Sequence, residues 1–291
     1  MRLNLRWRNI FRRNTRAVAP AISTVIITCA IIVMVFVAMV YAQNYLTGQL
    51  AQNEFNTNQQ FMLTTGLQID DIAWTIGRTQ TIQYSCQYSF IQFESQAISY
   101  SIDINFGNSS GWVPLNDSLL TGVLLYNMPP SSYSLGHNFF EPIFPTQISF
   151  LQEGPSAPVS QVYIMEKLPM TSGNYTRVVV APSFRMINST IGSQSYVKFY
   201  LPLLMGGPNP ELSQSVTLVG SSVTQYLCSN VTEVRLRASF PQASEGFDET
   251  FFPFGNQFLM SSYYEQDVVL APNSVVEFYV GEVTISIGAF V

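Results

Sequence analysis

The chain has 291 residues, 47% of them hydrophobic and 13% aromatic, which is ample for a packed core and too apolar for a disordered chain. Its net charge of -5 conceals an asymmetry, because Arg2, Arg6, Arg8, Arg12, Arg13 and Arg16 crowd the N-terminus and leave a strongly acidic remainder. That balance disfavours nucleic acid as a partner, since the part large enough to dock on a phosphate backbone would repel it.

From Ala17 to Asn53 there is no charged side chain. The most apolar part, Ala17 to Tyr41, would extend roughly 37 Å as a helix, against a hydrocarbon core of about 30 Å. This predicts a transmembrane helix, and the arginines before it place Met1 in the cytoplasm and Gln43 onward outside. A removable signal peptide is the alternative, with an apolar region of about 7 to 15 residues and a small-residue exit site. Val40-Tyr41-Ala42 matches such a site poorly.

Beyond Tyr41, Phe55, Met62, Ile69 and Ile76 recur every seven residues, with Ile72 and Ala73 widening the stripe. The pattern predicts that the helix continues amphipathically toward Ile76. Gly48 and Gly66 are the places where it would bend, since each costs about 1 kcal/mol relative to alanine in a helix interior. Asp70 and Asp71 point about 100° apart on a helix and read as solvated charges rather than a catalytic pair.

Past Gln80 the texture changes to short runs rich in Val, Ile, Tyr and Phe between clusters of Gly, Pro, Asn and Ser. In "VTEVRLRASF", Glu233, Arg235 and Arg237 alternate with Val234, Leu236 and Ala238, and Val283, Ile285 and Ile287 alternate near the end. Eight or more strands are expected in a mainly antiparallel, β-sandwich-like domain. The fold class is therefore α+β: a long N-terminal transmembrane or assembly helix, then a β-rich extracellular domain. "YNMPPSSYSLGHNFFEPIFPTQ" and the stretch from Gly206 to Pro210 read as surface loops. With "FDETFFPFGNQFLMSSYY" they supply either core and subunit packing or an apolar recognition surface.

The case for chemistry is thin. His137 is the only histidine and has no partner at metal-ligand spacing. Asp103 and Asp117 are isolated acids outside any calcium-loop pattern, and Asp248 and Glu249 show no paired geometry. Phosphate loops, dinucleotide glycines and nucleophile elbows do not occur. No enzymatic activity, cofactor or metal is expected. Of the three cysteines, Cys29 lies in the span, while Cys86 and Cys228 either form a bridge worth about 5 kcal/mol or are two buried free thiols. Sequons at Asn108, Asn116, Asn174, Asn188 and Asn230 suit an exterior, glycosylated domain.

The basic leader, Arg16-Ala17, and the apolar run "VAPAISTVIITCAIIVMVFVAMV" with its early proline resemble the N-terminal signature of archaeal type IV pilin-like proteins. The resemblance covers about the first 45 residues, and Val-Ala-Pro-Ala-Ile at 18–22 lacks the early acidic residue of bacterial type IV pilins. It implies cleavage between Ala17 and Val18 by a prepilin-type membrane peptidase, which leaves the helix on the mature protein. It also implies assembly through that helix with copies of itself or other pilins after storage in membrane lipid. The expected organisation is a leader at 1–17, an apolar helix continuing as an amphipathic stalk at 18–79, and a β-rich head at 80–291. A head of this size suits a minor or tip pilin with an adhesive role. The competing reading is an uncleaved, signal-anchored surface protein whose head binds an envelope polymer or another protein.

Overall fold

Helix α1 runs unbroken from Trp7 to Ala73 in a computed structural model of the chain. The structure describes residues 7–107, 111–192, 194–208, 214–254, 258–260 and 262–288, with side chains from Ile22 onward except at 117 and 258–260. Neither Gly48 nor Gly66 interrupts the helix. Two compact units divide the chain, Met1–Leu50 and Ala51–Val291. The packed unit thus starts within the helix, earlier than the head boundary expected near residue 80. The helix stops three residues short of Ile76, which is 67% exposed.

The second unit is mostly β. Its strands are β1 (Thr79–Gln83), β2 (Phe90–Phe106), β3 (Trp112–Met128), β4 (Phe139–Phe144), β5 (Leu151–Glu153), β6 (Ser160–Glu166), β7 (Thr176–Pro182), β8 (Phe184–Ile191), β9 (Gln194–Gly206), β10 (Ser215–Ser239), β11 (Phe258–Met260) and β12 (Tyr263–Ile287). Among the described residues they form one 12-stranded sheet in the order β4-β6-β7-β3-β2-β10-β12-β9-β8-β5, with β1 beside β10 and β11 beside β12. Neighbours are antiparallel except β12 with β9 and β5 with β8. Strand β4 lies inside a segment expected to be loop, because Phe139–Phe144 pairs with the edge of β6.

Each face of the sheet carries its own core. On one face, Phe55, Met62, Ile69 and Ile72 of α1 pack with Leu124, Tyr126, Val162, Val178, Val180, Val283 and Ile285. On the other, Tyr100, Tyr163, Val179, Ala181, Phe199, Leu236 and Phe278 pack with Phe247, Phe251, Phe252 and Phe254. Strands β6 and β7 are buried at every position because both their faces are covered, so they read as continuous apolar runs rather than alternating ones. The aromatic segment from Phe247 to Phe254 is core: Phe240, Phe252 and Phe254 stack together and Tyr264 meets them edge-on.

Two close approaches seat α1 on the sheet. A Cβ added to Gly66 would lie 2.6 Å from Val162 Cγ2, and the Ser160 hydroxyl donates to the Gly66 carbonyl at 2.8 Å. At the end of the helix, Gly281 leaves room for the Ala73 carbonyl oxygen, which any side chain there would strike. The glycine that resembles a hinge in the sequence is therefore a point of close contact between helix and sheet.

Candidate membrane and assembly interface

The described residues contain one helix long and apolar enough to cross a membrane. In the first unit, from Ile22 to Leu50, every large apolar side chain of α1 is between 49% and 74% exposed. Ile31, Ile32, Val33, Met34 and Val35 are consecutive, and at about 100° per residue they cover the whole circumference. A helix apolar all round is a buried helix by composition, so this segment requires lipid or protein around it. Two of its hydroxyls bond within the helix: Thr28 donates to the Thr24 carbonyl at 2.8 Å and Thr47 to the Gln43 carbonyl at 2.9 Å.

In the second unit the same helix is fastened by polar contacts as well as by its apolar stripe. Glu54 accepts from the Gln87 amide at 2.9 Å, from the Tyr88 amide and from the Ser89 hydroxyl, and Asn58 donates to the Ser85 carbonyl at 2.8 Å. Asp70 accepts from Trp74 Nε1 at 2.8 Å and from Arg185 at 2.7 Å, with the Arg185 guanidinium 4.7 Å from the Tyr200 ring. Asp70 is thus an anchor to β8 rather than the solvated charge expected of it. Asp71 faces the other way, pairing with the exposed Arg78.

The remaining sequence-derived sites fall apart in space. Ala17 and Val18 lie within α1, with their side chains outside the described set. All three cysteines are free. Cys86 packs against the helix-side core and Cys228 against the opposite one. Burial pushes the Cys86 thiol up to about 11, and the Glu54 charge adds to the effect. Asn174 and Asn188 are exposed, Asn116 and Asn230 are half-buried, and Asn108 lies outside the described residues.

His137 is exposed in the loop before β4. Asp103 pairs with Arg237 at 2.9 Å across β2 and β10, and the Asp117 side chain lies outside the described set. Asp248 accepts from Lys167 at 2.7 Å and from the Thr250 amide and hydroxyl. Burial pushes its carboxyl up, but Lys167 and Thr250 outweigh that and hold it below the ordinary aspartate value. Glu249 accepts through its backbone carbonyl from the Tyr264 hydroxyl. Among the described residues no three His, Cys, Asp or Glu side chains gather into a group able to hold a metal ion.

Three further residues organise the domain, with little in the local sequence to mark them. Glu166, 1% exposed, accepts from the Ser134 hydroxyl, the Leu135 amide and the Thr176 hydroxyl. Burial raises its carboxyl, yet these donors win and the pKa falls below the ordinary glutamate value. Arg177, 2% exposed, donates to Asn127 and the Gly173 carbonyl, and burial lowers it to about 10. Glu54 had one visible signal, being the first charge after the long uncharged stretch. No protein-family model matches the chain, and no curated protein and no solved structure matches it.

Proposed function

We propose that this chain is a type IV pilin-like structural subunit of a cell-surface filament, held in the membrane through α1 before assembly. The observation that carries this reading is the change of surroundings along one helix. Its residues 22–50 are apolar and exposed on every face, while its residues 51–73 form part of a domain core. A simple anchor needs only the first property. A filament subunit uses both, the first segment for assembly and the second as part of the domain it displays.

Pro20 supports the same reading. In the uncut chain it sits well inside α1, where a proline costs about 3 kcal/mol. After cleavage between Ala17 and Val18 it would be the third residue, where its missing amide is no loss. The partners of this reading are a prepilin-type peptidase, membrane lipid, and copies of itself or other pilins. Its head is a sandwich-like extracellular domain in which the exposed Asn174 and Asn188 are the best-placed glycan acceptors, and its size suits a minor or tip subunit with an adhesive role.

The test is N-terminal peptide mass spectrometry on native membranes and on sheared extracellular filaments. A mature start at Val18 in the filament fraction is the expected result. An intact leader confined to membranes would replace this reading with that of a signal-anchored surface protein.

A further inference from the structure

β10 changes neighbours along its length. β12 lies along one of its edges, while on the other β1 covers residues 215–219 and β2 covers residues 231–239. Between those two strands, Ser222 to Cys228 pair with Glu282 to Val276 of β12 and, among the described residues, with no strand on the opposite edge. Backbone bonds bound this opening at its ends: the Gly220 amide donates to the Arg78 carbonyl at 2.9 Å, and the Gly107 amide to the Asn230 carbonyl at 2.9 Å. At about 3.3 Å per residue the opening over 221–229 is roughly 30 Å long, and it is one strand wide.

Free strand edges are ordinarily protected by charge, by proline or by shortness. β4, at one end of the sheet, has Glu141 and Pro142, and β5, at the other, has three residues. The uncharged end of β8 beyond its pairing with β5, 187–191, is shorter than the opening in β10. Residues 221–229 have neither charge nor proline. The register shifts of β10 fall at the two ends of this stretch, between Gly220 and Ser222 and between Cys228 and Val231, and leave the pairing between them regular. Ser221, Thr224, Gln225, Leu227 and Ser229 are exposed.

β1 shows what kind of strand this edge accepts. It reads Thr-Gln-Thr-Ile-Gln, and it pairs Thr81 with Thr217 and Ile82 with Val216, the two threonine hydroxyls 2.8 Å apart. The sequence it pairs with, Ser215-Val216-Thr217, recurs inside the opening as Ser222-Val223-Thr224. A spacing of seven would turn the repeat over, but the extra residue at the Gly220/Ser222 shift turns it back. Val223 thus shares a face with Gln225, whose amide meets Tyr279 on the helix side, where Val216 also packs. Thr224 shares the other face with Tyr226, which packs against the opposite core.

We propose that residues 221–229 are a peptide-binding edge, which takes one extended, uncharged strand of the β1 kind from another polypeptide. Backbone pairing would supply the affinity and the Val223 and Thr224 positions the register. A sheet edge longer than the opening, β10 of a second copy included, would collide with β1 and β2, which occupy the same position at either end. A single short strand fits. The inference does not depend on the filament reading and would hold for a signal-anchored protein.

The experiment uses the full chain in detergent and a fluorescent, end-blocked peptide with the sequence of residues 79–85. Binding is read by fluorescence anisotropy and located by amide hydrogen exchange. Saturable binding is expected, with exchange across 221–229 slowed by about tenfold and exchange across 215–219 unchanged. Two further peptides carry N-methyl groups at odd or at even positions. A strand paired along one edge uses only alternate amides, so one of the two should bind roughly a hundredfold more weakly than the other. Absence of saturable binding, or equal weakening by both methylation patterns, would overturn the proposal. So would faster exchange across 215–219 on binding, which would mean that the peptide merely displaces β1. Slow exchange across 221–229 without peptide, in a chain that sediments as a dimer, would assign the edge to a second copy and overturn the peptide reading.

Discussion

Residues 22–50 and 51–73 of α1 share one backbone geometry and differ in what surrounds them. Phe36 in the first is 63% exposed and Phe55 in the second is 2% exposed. The first segment has apolar residues on every face; the second restricts them to a stripe and gives its other positions to Glu54, Asn58 and Asp70, all hydrogen-bonded. Secondary structure therefore says little about role here. The distribution of polarity around the axis decides whether a helical turn seeks lipid, another copy, or its own domain.

Substituting the two phenylalanines separates these roles most sharply. Phe55→Ala should cost about 3 to 5 kcal/mol in denaturant unfolding of the detergent-solubilised chain. Phe36→Ala should shift the same unfolding by less than about 0.5 kcal/mol. Equal effects would mean that the first segment also stabilises the fold of the head. Next in size, Val33→Arg should impair insertion at about 3 kcal/mol for a charge at the helix centre, read as loss from the membrane fraction. Normal insertion and filament incorporation of that variant would defeat the buried-helix reading. Gly281→Ala should destabilise the head by about 2 kcal/mol, because its Cβ meets a backbone oxygen that cannot rotate away.

How far the sequence reaches differs between the two segments. The apolar span and the stripe of Phe55, Met62 and Ile69 are plain, since both are periodicities within one element. The alternation in β10 likewise places Val234, Leu236 and Ala238 at 0% exposure. What the sequence hides depends on long-range pairing. Gly66 resembles a hinge until Val162 arrives 96 positions later in the chain, and Asp70 resembles a solvated charge until β8 supplies Arg185. In sequence the phenylalanines from Phe247 to Phe254 read as either core packing or a recognition surface, because nothing local shows that the sheet closes over them. Two distant cysteines are equally uninformative until each is assigned to a face.

Acid should expose the contribution of Glu166. Its folded pKa lies below the ordinary glutamate value, so its stabilisation is fully present above the unfolded pKa and is lost as pH falls through the folded one. Glu166→Gln should cost about 1 to 3 kcal/mol at neutral pH, through loss of charge-assisted bonds from Ser134 and Thr176. It should also flatten the acid limb of stability measured by urea unfolding between pH 7 and pH 3. An unchanged acid limb would show that other carboxylates, Asp248 among them, set the acid sensitivity.

The smallest expected effects come from the adjacent pair on α1, and they return the comparison to a single helical turn. Asp71→Asn removes an ion pair whose side chains are 49% and 45% exposed, so solvent screens it and the change should be under about 0.5 kcal/mol. Asp70→Asn leaves the Arg185 guanidinium, 11% exposed, without its carboxylate between the Tyr200 ring and the Ala157 carbonyl. That loss should be about 1 to 2 kcal/mol and should change little with added salt, because partly buried pairs are weakly screened. Measured by denaturant unfolding at low and high ionic strength, the two variants should therefore differ in size and in salt response. Equal, salt-sensitive effects would mean that Asp70 contributes no more to holding α1 than its exposed neighbour.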